Sequence, residues 1–224
     1  LFVPKRNMEK MGMFRKENND AHHCRKVLVD PEPKALFPEW LRFLKGVVDS
    51  SDLPLNVSRE VMQDSELLRK LNQVLTKRFL RFLNEQSKKE SETYLEFWKE
   101  FGILIKEGAA TDFTYKDDLA KLLRFESTAL EPGELTGLDE YIDRMAKDPK
   151  EILFLFGKSR QSIEAGPYLE ALKARSLEVL LLTEPVDEYV MQSVREYKEK
   201  KIISADSEEL KLEKLDQDPE GKAL

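Results

Sequence analysis

The chain has 224 residues, 37 of them Lys or Arg and 43 Asp or Glu, for a formal net charge of −6. That length suits one or two domains with a proper core, and the mixed charges, with no basic run interleaved with aromatics, speak against a nucleic-acid surface. No apolar run approaches the roughly 20 residues that a bilayer crossing needs, and a single cysteine, Cys24, excludes an intrachain disulfide and is compatible with a reducing compartment.

Residues 1–6 (LFVPKR) read as a strand already under way. Position 1 is not Met and no signal-peptide pattern follows, so the expectation is a piece excised from a longer protein. A loop rich in Lys, Asn and Met runs to Asp20. His22, His23 and Cys24 invite a metal, but adjacent strand positions face opposite ways and no further ligands lie nearby, so none is expected. Residues 25–29 (RKVLV) read as a strand and DPEP after them as a breaker loop. Residues 37–45 predict a short amphipathic helix, with Pro38 in its first turn and Trp40, Leu41 and Leu44 packing inward.

Residues 46–63, GVVDSSDLPLNVSREVMQ, carry the most chemistry. Val47 and Val48 run into a polar turn where Asp49 and Asp52 are explained by turn hydrogen bonding rather than acid–base work. Pro54 fixes one backbone dihedral, and Asn56 or Ser58 offers an N-cap for the helix that follows. Arg59 then sits in a first turn, where a cation is unfavourable by roughly 0.3–1 kcal/mol. Two readings stay open on the local chemistry. Arg59 pairs with Glu60 or Asp64 or lies in solvent, or it serves a visiting anion together with the helix N–H groups.

A long helix or a close pair runs from Ser58 to about Glu90. Leu68, Leu71, Leu75, Phe79 and Phe82 step by three or four along one face, away from Lys70, Lys77 and Arg81. Residues 91–105 continue helical with a core stripe of Tyr94, Phe97, Trp98, Phe101 and Ile105, closed by Gly108. A connector covers 109–115, a helix 117–125, a linker 127–137, and a short helix 138–145. From Glu151 the grammar changes. ILFLFG and LEVLLLT are buried strands, IIS at 202–204 is a third, and helices at 159–176 (interrupted by Pro167) and 186–200 separate them, which argues a small parallel sheet. Gly157-Lys158-Ser159 after a strand imitates a phosphate loop, but the glycine required five residues earlier is Ile152, and no dinucleotide fingerprint follows either strand. Cys24 has no local signature of a nucleophile–base pair.

The stretch DSSDLPLNVSREVMQ closely resembles the catalytic loop in the middle segment of the ninety-kilodalton heat-shock chaperone family. FPEWLRFLKGVVDS, LLRFESTAL, LEVLLLTEPVDEY and KIISAD extend the resemblance over nearly the whole chain, in family order. RKVLV in place of the cytosolic RRVFI looks more like mitochondrial or bacterial members, and QSKK at 86–89 favours the mitochondrial form. The resemblance implies a layered α/β sandwich over 1–90, a helical connector over 91–130, a smaller three-stranded parallel α/β unit over 131–205 and a charged tail from 206. It also implies that the chain starts after the family's first strand of this segment, leaving a sheet edge unpaired.

By the same resemblance, ATP with Mg2+ is held by a separate N-terminal domain, and this segment lends a loop that closes over the nucleotide. Arg59 then matches the residue that reaches the γ-phosphate, Gln63 the one that supports the closed loop, and Asn56 belongs to the same motif. The implied partners are that N-terminal domain, a C-terminal dimerisation domain, and unfolded or partly folded clients, in a homodimer of the mitochondrial matrix or of a bacterial or eukaryotic cytoplasm, with neither nucleic acid nor membrane. The fragment alone is not expected to hydrolyse ATP. The alternative is a non-catalytic scaffold that binds partners through amphipathic surfaces such as Lys70, Lys77 and Arg81.

Overall fold

The structure, a computed structural model, describes residues 1–11, 20–24, 27–30, 36–49, 66–145 and 150–207. Two compact units divide the chain, Leu1–Gly108 and Ala109–Leu224. Strands and helices mix in both, so the fold is α/β, as the alternation of apolar runs and helical stripes predicts.

In the first unit, β1 (Asp20–Cys24) pairs antiparallel with β2 (Val27–Asp30) and parallel with β3 (Gly46–Asp49), giving the order β2-β1-β3. The register slips between His22 and His23, as at a bulge, where one extra residue bends a strand. Two long helices follow, α1 (Glu66–Lys89) and α2 (Ser91–Thr111). On α2 the stripe lies as predicted, with Tyr94, Trp98, Phe101 and Ile105 buried. Phe43 stacks on Phe101 with centroids 4.8 Å apart and also meets Phe97 at 5.7 Å and Phe79 at 6.0 Å. Such ring pairs add about 0.5–1.5 kcal/mol each beyond their buried area. Gly102 is required on this helix, because a Cβ there would come within 2.8 Å of the Trp98 ring.

On α1 the stripe is rotated from the expected one. Among the described residues the buried ones are Leu68, Thr76, Leu80, Leu83 and Ser87, whereas Leu71, Leu75 and Phe79 are half-buried and Phe82 is 50% exposed. Apolar spacing cannot reveal this, since Thr76 and Ser87 are buried at helical intervals with their hydroxyls bonded inside the helix, to Asn72 Oδ1 and the Asn84 carbonyl. Helix α2 also outruns Gly108 by three residues to Thr111. A helical glycine costs only about 1 kcal/mol relative to Ala, and the buried Ala109 beyond it keeps the turn packed.

The second unit opens with α3 (Lys116–Ala120), shorter than predicted, because Phe125 leaves the helix to bridge Thr136. Residues 127–137 are not a free linker: β4 (Glu126–Ser127) pairs with β6 (Leu180–Leu182), and Ser127 and Thr136 are buried. After α4 (Leu138–Arg144) come β5 (Ile152–Phe156), α5 (Arg160–Glu164), α6 (Pro167–Ala174, with its proline in the first turn), β6, and α7 (Pro185–Val194). A hairpin of β7 (Glu196–Tyr197) and β8 (Lys200–Ser204) ends the described chain. The order β4-β6-β5-β8-β7 has the three predicted strands at its centre, mutually parallel, with a short antiparallel strand added at each edge. Leu153, Leu155, Ile163, Leu169, Leu172, Val179 and Leu181 form the core on one face.

The hairpin overturns the expected helix over 186–200. Arg195 ends α7 at φ 52°, and Lys198 and Glu199 take φ 48° and 63° as the two central residues between Tyr197 and Lys200. Both signs match a type I′ turn, whose usual residues are Asn-Gly, so local sequence offers no hint of it. The sheet requires it, because Ile202 must lie opposite Ile152.

Candidate functional site

Asn56, Arg59 and Gln63, with Asp52, Pro54 and Ser58, lie outside the described residues. The structure describes the chain on either side of them: the turn and strand that lead to Asp49, and helix α1 from Glu66.

The segment before β3 is not the amphipathic helix that its spacing predicts. A single 3-10 turn, Glu39–Leu41, follows Pro38. Leu36, Phe37, Trp40, Leu41, Phe43 and Leu44 are all buried. A helix would put a polar face over part of this run, and there is none to spare. Arg42 lies in its midst, 8% exposed. Its guanidinium donates through all five N–H groups: Nε and Nη2 to the Glu9 carboxylate at 2.9 and 3.3 Å, Nη1 and Nη2 to Glu107 at 3.0 and 2.8 Å, and Nη1 to the Glu39 carbonyl at 3.2 Å. Burial works to lower the pKa of Arg42, but the bonds to Glu107 and Glu9 outweigh it and the net shift is upward. The sequence reading missed this residue. Its signal was a cation inside the apolar run FPEWLRFL, which buried charge chemistry permits only with partners.

Immediately downstream, Phe2 and Lys45 exchange backbone hydrogen bonds at 2.8 and 3.0 Å. Gly46 takes φ 149°, and a Cβ on it would come within 2.8 Å of the Leu1 backbone, so β3 can start here only from glycine. Upstream, Asn7 fastens the N-terminal segment to α2, with its amide donating to Glu100 Oε2 at 2.8 Å and Nδ2 to the Glu100 carbonyl at 3.1 Å. Beside it opens a groove of about 430 Å³, mainly apolar, walled by Val3, Pro4, Phe82, Phe97 and Phe101 with Glu96 at its lip.

In the second unit the polar residues of LLRFES are structural. Arg124 donates to the Leu123 carbonyl at 2.8 Å, and Glu126 accepts from Arg160 at 2.9 Å. Tyr141 donates to the Glu178 carbonyl at 2.7 Å and accepts the Leu153 amide at 3.0 Å. Burial pushes its pKa up, and burial with the bond to Asp139 does the same for Tyr197. Ser159 of the GKS triplet caps α5, and Gly157 donates its amide to the Leu182 carbonyl. These residues serve the strand-to-helix turn. Among the described residues no group of three His, Cys, Asp or Glu is placed to hold a metal ion, and no helix is long and apolar enough to cross a membrane.

The pattern of the Hsp90 protein family matches residues 1–223. The chain belongs to the Hsp90 family. It is 51% identical over 212 residues to the Chaperone protein HtpG of Desulfitobacterium hafniense, covering 95% of this chain and 34% of that one. It is 41% identical over 212 residues to the mitochondrial TNF receptor-associated protein 1 homolog of Dictyostelium discoideum, covering 93% and 30%. Against the mitochondrial Heat shock protein 75 kDa of Rattus norvegicus the figure is 42% over 211 residues, covering 91% and 30%. The chain thus spans about a third of the length of the curated relatives it matches. The likeness to bacterial and mitochondrial members expected from RKVLV is found, in both kinds.

Proposed function

We propose that this Hsp90 chain is the middle segment of an ATP-driven chaperone and that Arg59 contacts the γ-phosphate of an ATP held, with Mg2+, by a separate N-terminal domain. Gln63 and Asn56 support the stretch that carries it. The observation that carries this reading is a family match over residues 1–223 in a chain about a third as long as its relatives, with an LNVSREVMQ stretch whose Arg59 lies ten residues beyond the end of a strand. Phosphoryl transfer needs positive charge placed at the γ-phosphate, and a guanidinium supplied from another domain is worth several powers of ten in rate. Supplying it from a separate segment makes hydrolysis conditional on closure. The remaining parts of the proposal are a C-terminal dimerisation domain, a homodimer, clients that are unfolded or partly folded, and a mitochondrial matrix or bacterial cytoplasm.

The test is Arg59→Ala in the full-length protein. Turnover falls by about a hundredfold or more while nucleotide affinity is nearly kept; normal turnover rejects the assignment. One observation favours a second reading, a non-catalytic interaction scaffold: the apolar groove beside Phe82. On that reading Arg59→Ala is silent and charge reversals at the exposed Lys70, Lys77 and Arg81 disrupt a complex.

A further inference from the structure

We infer that Arg42 is a positioning residue for ATP hydrolysis, setting the base from which the Arg59-bearing stretch departs; this rests on the reading of Arg59 above. One guanidinium holds three separate parts of the chain: Glu9 in the N-terminal segment, Glu107 on α2, and its own 3-10 turn through the Glu39 carbonyl. All five donors are used, against two carboxylates gripped two-fold and one carbonyl. That count leaves the fork no second arrangement with equal bonding.

The consequence runs forward along the chain. Residue 43 stacks on Phe101, residue 45 pairs with Phe2, and Gly46 begins β3 against Leu1. Each of these contacts is made within four residues of Arg42. Strand β3 ends at Asp49, and Arg59 lies ten residues on. A side chain that must meet a phosphate carried by another domain depends on the placement of its base, because an error of about 1 Å far from the chemistry can cost about a hundredfold in rate. Glu9 and Glu107 are 33 and 65 positions away from Arg42, so the anchor reports the folded first unit rather than the local turn. Lysine cannot replace it. It offers three donors from a point charge on a flexible stem, and it cannot grip two carboxylates and a carbonyl in one plane.

The experiment is Arg42→Lys in the full-length protein, alone and combined with Arg59→Ala, assayed for steady-state ATP hydrolysis well below the melting temperature. Arg42→Lys keeps the charge and the buried stem. The expected result is a fall in kcat of about tenfold or more with KM for ATP unchanged, and no further fall in the Arg59→Ala background. Glu107→Gln is measured beside it and shows the same pattern. A wild-type kcat in Arg42→Lys overturns the inference. So does an equal loss with and without Arg59, which would make Arg42 a general prop. Arg59→Ala with normal turnover overturns the earlier reading instead, so the two failures are told apart. Should Arg42→Lys not fold, Glu107→Gln and Glu9→Gln carry the same comparison with the arginine left in place.

Discussion

The two units solve the burial problem in different ways. The first buries a guanidinium: Arg42 ties the partly exposed Glu9 and Glu107, far apart in sequence, next in the chain to Phe43, whose ring meets Phe79 of α1 and Phe101 of α2. The second has an aliphatic sheet core, with the buried amide of Leu153 donating to the Tyr141 hydroxyl. Apolar burial is non-directional and is spread over many residues. A buried charge is directional, and its contribution depends on every partner staying in place. The first unit is therefore held at its turn by one guanidinium shared between two carboxylates, the second by continuous strands braced by single pairs such as Arg160–Glu126.

The largest expected effect tests the second unit. Leu153→Ala, at a position with no exposure, should cost about 4 kcal/mol in urea unfolding, from lost transfer energy plus a cavity. Arg42→Gln should cost about 3 kcal/mol, because it removes the buried guanidinium's bonds to Glu9, Glu107 and the Glu39 carbonyl. Its cost should shrink in high salt while that of Leu153→Ala does not, and equal salt responses would erase the contrast between the units. Tyr141→Phe should cost about 2 kcal/mol by leaving the Leu153 amide unbonded.

Alkali sharpens the same contrast. Tyr141 and Tyr197 have folded-state pKa values raised by burial. Their neutral forms are favoured in the fold, so this stability is fully present below the unfolded tyrosine value of about 10 and is lost as pH rises through the folded values. Above about pH 10, wild type should lose stability faster than Tyr141→Phe/Tyr197→Phe; parallel pH curves would contradict the assignment. The smallest effect is a gain. Glu199→Gly removes a left-handed cost of about 1–2 kcal/mol against a glycine entropy penalty of about 0.5–1. A rise of about 0.5 kcal/mol is expected, read as a higher melting temperature.

Much of this protein was legible in its residues. The parallel centre of the second sheet followed from ILFLF, LLL and the helical stretches between them, because strands buried on both faces leave near-continuous apolar runs. The α2 stripe followed from its aromatics because a helix with one buried face repeats its apolar residues every three or four positions. The family, and with it the candidates Asn56, Arg59 and Gln63, followed from motif identity. Where polar side chains are buried, periodicity failed. Thr76 and Ser87 turned the face of α1, and Arg42 sat hidden in an apolar run that folded as one 3-10 turn.

Local spacing thus determined the long helices and the central strands of the second sheet, whose patterns depend on neighbours one to four residues away, but not residues 37–45 or 195–200. Tertiary structure alone decided that Arg42 meets Glu9 and Glu107, that Glu126–Ser127 joins the sheet, and that Lys198-Glu199 turns left-handed. Each of these is selected by a partner tens of positions off, or by the register of a sheet, and no window of sequence contains the group that makes the choice.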